Sequence, residues 1–215
     1  MNRHPVLIAG VLLGMFAVIG SGLVAFTHES TRDRIAANER AAMLRSLHSM
    51  IPAERVDNDM TADVLQVSEP ALLGARQTTI YRARREGKPI AAIFTSVAPD
   101  GYSGPIKLLV AVNTDGTVAG VRVVTHTETP GLGDRIEESR SDWVYSFDGR
   151  SLADPEPDRW AVKKDGGVFD QFTGATITPR AVINAVKNTL HYYQSERDNL
   201  FAPGRGAAAP EKGDS

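Results

Sequence analysis

The chain contains no cysteine. That absence excludes disulfides, thiolate metal sites, iron–sulfur ligation and cysteine nucleophiles, so any redox chemistry must come from a borrowed cofactor. It leaves the compartment open, because a protein without thiols offers nothing for its surroundings to oxidise. There is also no excess of charge: the formal net charge is -2 and the pI is near 6.2. Lys and Arg are scattered, no positive field is available to hold a polyanion, and nucleic acid is not an expected partner. No internal repeat of solenoid length is present. What remains is a composition of globular type, 42% hydrophobic over 215 residues, enough for one ordinary domain and an appendage.

The appendage is N-terminal. From Val6 to Phe26 no residue is charged, and as a helix the run reaches roughly 30 Å, the thickness of a bilayer's hydrocarbon core. A cleaved signal peptide is the rival reading, but the run is longer than a usual signal core and no small-x-small site follows it, so a retained anchor is favoured. Gly10 and Gly14, with Ala17 and Ser21 at the same spacing, offer close approach to another helix, or simply reflect the frequency of glycine in membrane helices. Arg3 stands before the span and Arg32, Arg34 and Arg40 after it, so charge alone assigns neither side.

The soluble part reads as α+β. Ala37, Ala41, Leu44 and Leu47 recur at helical spacing within 30–50, and Ile51-Pro52 ends that pattern. Strands are expected at 78–83 and 90–97, separated by the turn-forming Glu86-Gly87-Lys88-Pro89, and at 106–112 and 118–124, joined by Asn113-Thr114-Asp115-Gly116-Thr117. A Gly/Thr/Pro loop covers 126–134, a helix is expected from about Arg135 to Tyr145, and a polar, Pro-rich stretch runs through Asp158. Thr178-Pro179 has the form of an N-cap followed by proline at the first helical position, and Val182, Ile183, Val186, Leu190 and Tyr193 make one apolar face. The expected divisions are a membrane anchor over 1–28, an amphipathic helical connector over 29–56, one domain with an antiparallel sheet and packed helices over 57–200, and a disordered tail over 201–215.

Chemistry points to Asp170-Gln171-Phe172-Thr173-Gly174-Ala175-Thr176. Gly174 and Ala175 leave almost no side-chain bulk beside the Thr176 hydroxyl, so a large group can reach that oxygen. Thr176 precedes a helix start, so an anion on it meets the positive end of the helix dipole, unpaired amides and Arg180. On these residues alone, a turn that caps a helix is the simpler account, because Thr-Gly-Ala-Thr is short and common in kind.

The stretch resembles the flavinylation motif Asp-x-x-(Ser/Thr)-Gly-Ala-Thr of the FMN-binding domain shared by RnfG, the G component of the Rnf electron transport complex, and the C component of the sodium-pumping NADH:quinone oxidoreductase. Every specified position matches. A second stretch, His126-Thr127-Glu128-Thr129-Pro130-Gly131-Leu132-Gly133-Asp134, is similar to the family's loop near the flavin, and the short length is closer to RnfG. The resemblance implies that a flavin transferase moves FMN onto Thr176 through a phosphoester, with Asp170 part of what that enzyme recognises. It also implies cofactor contacts from Thr173, Gly174, Ala175, Glu128, Thr129, Gly131 and Leu132. In the loop, Gly131 and Gly133 permit close approach to a planar ring, Pro130 restricts freedom and Leu132 supplies an apolar surface.

The implied protein is a single-pass, inner-membrane electron carrier, its domain on the periplasmic face, working among the other subunits of an ion-translocating complex. The alternatives are an FMN carrier of another membrane reductase and a flavin-free assembly or scaffold protein. No catalytic residue of its own is expected. Other candidates carry less. His126 beside Glu128 lacks a further histidine at ligand spacing, so no metal is expected. Trp143 and Tyr145 read as core, and Lys163-Lys164 as a solvated surface.

Overall fold

The computed structural model describes residues 4–202. The chain divides into two compact units, Met1–Met43 and Leu44–Ser215. The first helix, α1 (His4–Met50), is continuous, so the apolar run and the connector expected after it are one element. Large apolar side chains from Leu7 to Phe26 are exposed, and the helix is long and apolar enough to cross a membrane.

The second unit is built on five antiparallel strands in sequential order: β1 (Val64–Val67), β2 (Thr78–Arg85), β3 (Lys88–Ala98), β4 (Ile106–Asn113) and β5 (Val118–Thr125). Both expected hairpins are present. The first closes in a two-residue turn, Glu86 and Gly87 at φ 51° and 73°, which matches the twist of the flanking strands and draws Lys88 and Pro89 into β3. The second turn is fastened by Asp115, whose carboxylate accepts from the backbone and hydroxyl of Thr117 at 2.9 and 2.6 Å.

β4 is buried on both faces, from Leu108 to Val112. On one face Ile106, Leu108, Val110 and Val112 share a core with the long helix α3 (Ile177–Leu200). Val182, Ile183, Val186, Leu190 and Tyr193 of α3 are buried, as their spacing predicts. Phe94 of β3 meets Tyr192 and Tyr193 edge-on at centroid distances of 6.0 and 6.4 Å. Ser96 and Thr189 hydroxyls hydrogen-bond at 2.7 Å, so these two groups, buried between β3 and α3, satisfy each other. On the opposite face Ala111 pairs with Gly120, and Gly120 has no room for a Cβ because Met50 Cγ lies 2.9 Å from where it would stand. Leu47, Met50 and Ile51 are buried there, so the last turns of α1 belong to the core of the second unit.

Several elements differ from expectation. β1 and the short α2 (Pro70–Leu73) are additional, and α2 ends at Gly74, where φ is 72° and a Cβ would stand 1.9 Å from the Val97 carbonyl oxygen. The helix expected over 135–145 is instead two 3-10 segments, Gly133–Ile136 and Asp142–Phe147. Glu137 is extended between them, and the Ser141 hydroxyl donates to the Arg135 carbonyl at 2.6 Å while accepting from Trp143 N–H. A serine satisfied locally in this way competes with helix continuation. Trp143 is core, packed edge-on against Phe147 and Phe172, whereas Tyr145 is partly exposed under the Arg122 guanidinium. Phe201 still packs beneath Arg84, and residues 203–215 of the expected tail lie outside the described residues.

Phe94 fills the space between sheet and α3. Phe94→Ala is expected to lower unfolding stability by about 3–5 kcal/mol, measured by denaturant titration of the full chain in detergent.

Candidate functional site

The antiparallel order brings three chain segments to one end of the sheet: the β3–β4 connection, the exit of β5, and, from beyond the 3-10 segments, the start of α3. Between them lies a cleft of about 450 Å³ lined by Tyr102, Glu128, Thr129, Leu132, Gly133 and residues 174–178. Its volume is that of a small-molecule or cofactor site. Tyr102, Leu132 and Ile177, one from each segment, keep 67%, 42% and 47% of their surface exposed there. Large apolar side chains left in water by three converging segments suit a flat aromatic ligand.

Thr176 stands at the N-cap position of α3, two residues ahead of the cap read from the sequence. Thr178 cannot cap, because its buried hydroxyl donates to Glu128 Oε2 instead. Pro179, expected as the first helical residue, is the third, still within the first turn, where a missing N–H costs nothing. Thr176 is half-buried on the cleft wall and makes no side-chain capping bond. The turn before it closes when Ala175 N–H donates to the Phe172 carbonyl at 3.2 Å, with Gly174 at φ 82°. A Cβ on Gly174 would lie 3.4 Å from Leu132 Cδ2, so the turn rests against the cleft's apolar loop.

Arg180 and Lys163 are engaged with carboxylates. Arg180 grips Asp165 with Nε and Nη2 at 2.7 and 2.8 Å, and that hydrogen bond holds the Asp165 carboxyl below its ordinary range. Lys163 pairs with Asp170 at 2.6 Å. Among the residues expected at the site, Glu128, Thr129, Leu132, Gly174, Ala175 and Thr176 line the cleft. Gly131, Thr173 and Asp170 do not; Thr173 and Asp170 are exposed, and Gly131 has φ 78° with open space around it. Tyr102 and Ile177 line the cleft without having been singled out, and Thr178, read from the sequence only as a cap, lines it too. Tyr102 sits in a connection with no motif of its own, and only its exposure marks it.

The loop behind the cleft is fixed by His126. Its Nδ1 accepts Glu128 N–H at 3.0 Å, which leaves Nε2 to donate to Glu137 at 2.6 Å. That bond, followed by one from Ser139, holds the Glu137 carboxyl below the usual carboxylate range. Glu128 is 4% exposed and accepts Ser103 N–H at 2.9 Å as well as the Thr178 hydroxyl.

Residues 101–191 match the FMN-binding domain, and residues 1–50 match the RnfG N-terminal region. The chain is 48% identical to the G component of the ion-translocating oxidoreductase complex of Pseudoalteromonas atlantica, with 90% of each chain covered. It is 49% identical to the same component from Pseudomonas aeruginosa PAO1, over 96% of this chain and 97% of the relative. The chain belongs to the RnfG family of ion-translocating oxidoreductase components. The RnfG counterpart in Shewanella baltica is 45% identical over 93% of this chain and 95% of its own. The FMN-binding match takes in every cleft-lining residue, and the N-terminal match coincides with α1 to its last residue.

The cleft's glycines separate two constraints. At Gly133 a Cβ would lie 2.9 Å from Glu128 Cβ and 3.0 Å from Thr178 Oγ1, whereas at Gly131 only the backbone angle opposes a side chain. Gly133→Ala is therefore expected to cost about 1–3 kcal/mol through crowding, and Gly131→Ala about 1 kcal/mol through its positive φ. Denaturant titration that ranks Gly131→Ala as the more damaging would contradict this assignment.

Proposed function

We propose that this RnfG family member carries one FMN, joined through a phosphoester to Thr176, and passes electrons within a multi-subunit ion-translocating oxidoreductase. The observation that carries the reading is the position of the Thr176 hydroxyl. It lies on the wall of a cofactor-sized cleft, free of capping duty, beside the low-bulk Gly174 and Ala175, and at the head of a 24-residue helix. A phosphate on that oxygen faces the positive end of the helix and the first-turn amides of Ile177 and Thr178, which have no acceptor within the helix. With Arg180 and Lys163 held by Asp165 and Asp170, backbone amides are the donors at the head of the helix that meet the phosphate charge.

When bound, the flavin supplies one- and two-electron transfer; the chain supplies attachment, orientation and surroundings. Tyr102, Leu132 and Ile177 offer apolar surface to the ring, and Thr129 offers polar atoms to its edge. Thr173, Gly174 and Ala175 form the turn that leaves room for the ribityl phosphate, and Gly131 gives the facing loop its reversal. Asp170, with a side chain 70% exposed, is accessible to a flavin transferase during maturation. A covalent tether on a membrane-anchored domain keeps one cofactor at high local concentration, which suits a relay better than a turnover site.

The Thr176→Ala full chain, made in cells that contain the transferase, is expected to lose the fluorescent band that wild type shows under ultraviolet light after denaturing electrophoresis. An equally bright mutant band would move the attachment elsewhere, and a peptide spanning Thr176 with the mass of plain threonine would end the reading.

The reading also sets the domain on the periplasmic face of the inner membrane. The chain has no thiol, so a single Lys164→Cys substitution at an exposed position gives an unambiguous label site. A membrane-impermeant maleimide is expected to label it in intact spheroplasts; labelling only after lysis would reverse the orientation.

A further inference from the structure

Glu128 lies on the cleft wall, but both of its oxygens are already engaged with the protein. Oε1 accepts the Ser103 N–H at 2.9 Å, and Oε2 accepts the Thr178 hydroxyl. These partners belong to the β3–β4 connection and to the first turn of α3, while Glu128 itself stands on the loop leaving β5. One side chain, 96% buried by its 4% exposure, thus joins all three segments that form the cleft.

The surroundings are shaped for it. A Cβ on Gly101 would lie 3.0 Å from Glu128 Oε1, and one on Gly133 would lie 3.0 Å from Oε2. Gly133 therefore makes room for the Glu128 side chain, while at Gly101 the Gly104 carbonyl oxygen, 2.2 Å from where a Cβ would stand, excludes a side chain first. Its main chain is tethered too: Glu128 N–H donates to His126 Nδ1, and the neighbouring Thr127 hydroxyl donates to the Ser103 carbonyl at 2.9 Å. Ser103 is consequently gripped at both its N–H and its C=O by residues 127 and 128.

We propose that Glu128 is a positioning residue rather than a flavin ligand: its carboxylate ties the Tyr102 connection and the head of α3 to one loop, and so sets where Thr176 stands relative to Tyr102 and Leu132. The function assigned to this tie rests on the reading of Thr176 as the FMN attachment point. The tie itself does not. A buried carboxylate that loses one of two donors keeps an unmet acceptor, so removing the Thr178 hydroxyl raises the cost of holding Glu128 in place and lets the connection at Ser103, 75 residues earlier in the chain, open more often. A residue that merely filled space would transmit nothing between those segments.

The test is amide hydrogen exchange of the full chain in detergent, produced with the transferase present. Thr178→Val, nearly isosteric and lacking only the hydroxyl, and Glu128→Ala are each expected to speed exchange about tenfold or more in the peptides covering 101–104 and 126–133. Glu128→Gln is expected to stay within about threefold of wild type, because its amide accepts from Ser103 and donates to the Thr178 oxygen without a charge. Wild-type exchange at 101–104 in Thr178→Val overturns the proposal, even if Glu128→Ala fails to fold. Glu128→Gln as fast as Glu128→Ala overturns it as well, since the charge and not the tie would then be what matters. Intact mass of the same samples reports FMN separately: a wild type without it defeats the attachment at Thr176 and leaves the exchange comparison standing.

Discussion

The central strand of this domain has no polar side to offer. From Leu108 to Val112, β4 is buried on both faces, so the sheet exists only as the middle of a sandwich and each face needs its own cover. One cover is α3, brought onto the sheet by Phe94, Tyr192 and Tyr193; the other is the end of α1 with Ile51. Each filled side chain of this kind is worth roughly 1.5–3 kcal/mol on burial, far above what any single surface ion pair in the chain supplies. The position of the cleft follows from this demand. With α3 pressed against the sheet along its length, its N-terminus is carried to the end where the β3–β4 connection and the exit of β5 emerge.

At that end the protein uses polar groups to hold apolar ones in place. Tyr102, Leu132 and Ile177 have little to pack against, and loops that expose such side chains would ordinarily fold them inward. Buried and half-buried hydrogen bonds through Glu128, His126 and Thr178 supply the order that packing does not. The arrangement separates two tasks: carboxylate, imidazole and hydroxyl fix the loops from behind, and the apolar side chains face the space in front. Thr176 lies at the seam, where the helix dipole is strongest.

Much of this was legible in the residues. Glu86-Gly87 and Asp115-Gly116 announce turns, and the β-branched runs beside them are strands, because both signals are local. The 3.6-residue spacing of Val182, Val186 and Tyr193 marks the buried face of α3 for the same reason. Thr176 and the 126–134 loop were visible through their likeness to a known motif, and the cleft brings most of those residues together. What escaped was set by distant partners. Thr178-Pro179 looks like a cap, but its hydroxyl is taken by a residue 50 positions away. The run from Arg135 to Tyr145 has helical composition, but Ser141 and the aromatic cluster around Trp143 break it into 3-10 segments. Arg180 looks like a phosphate partner until Asp165 is seen beside it.

Leu47, Met50 and Ile51 have a consequence for how the molecule can be taken apart. They close the face of the sheet on which Gly120 sits against Met50, so the final turns of the anchoring helix are a wall of the domain. A protease that releases the water-soluble portion leaves it whole if it cuts ahead of Leu44. A cut at the seemingly natural boundary past Pro52 strips that wall and hands the solvent a greasy, adhesive sheet.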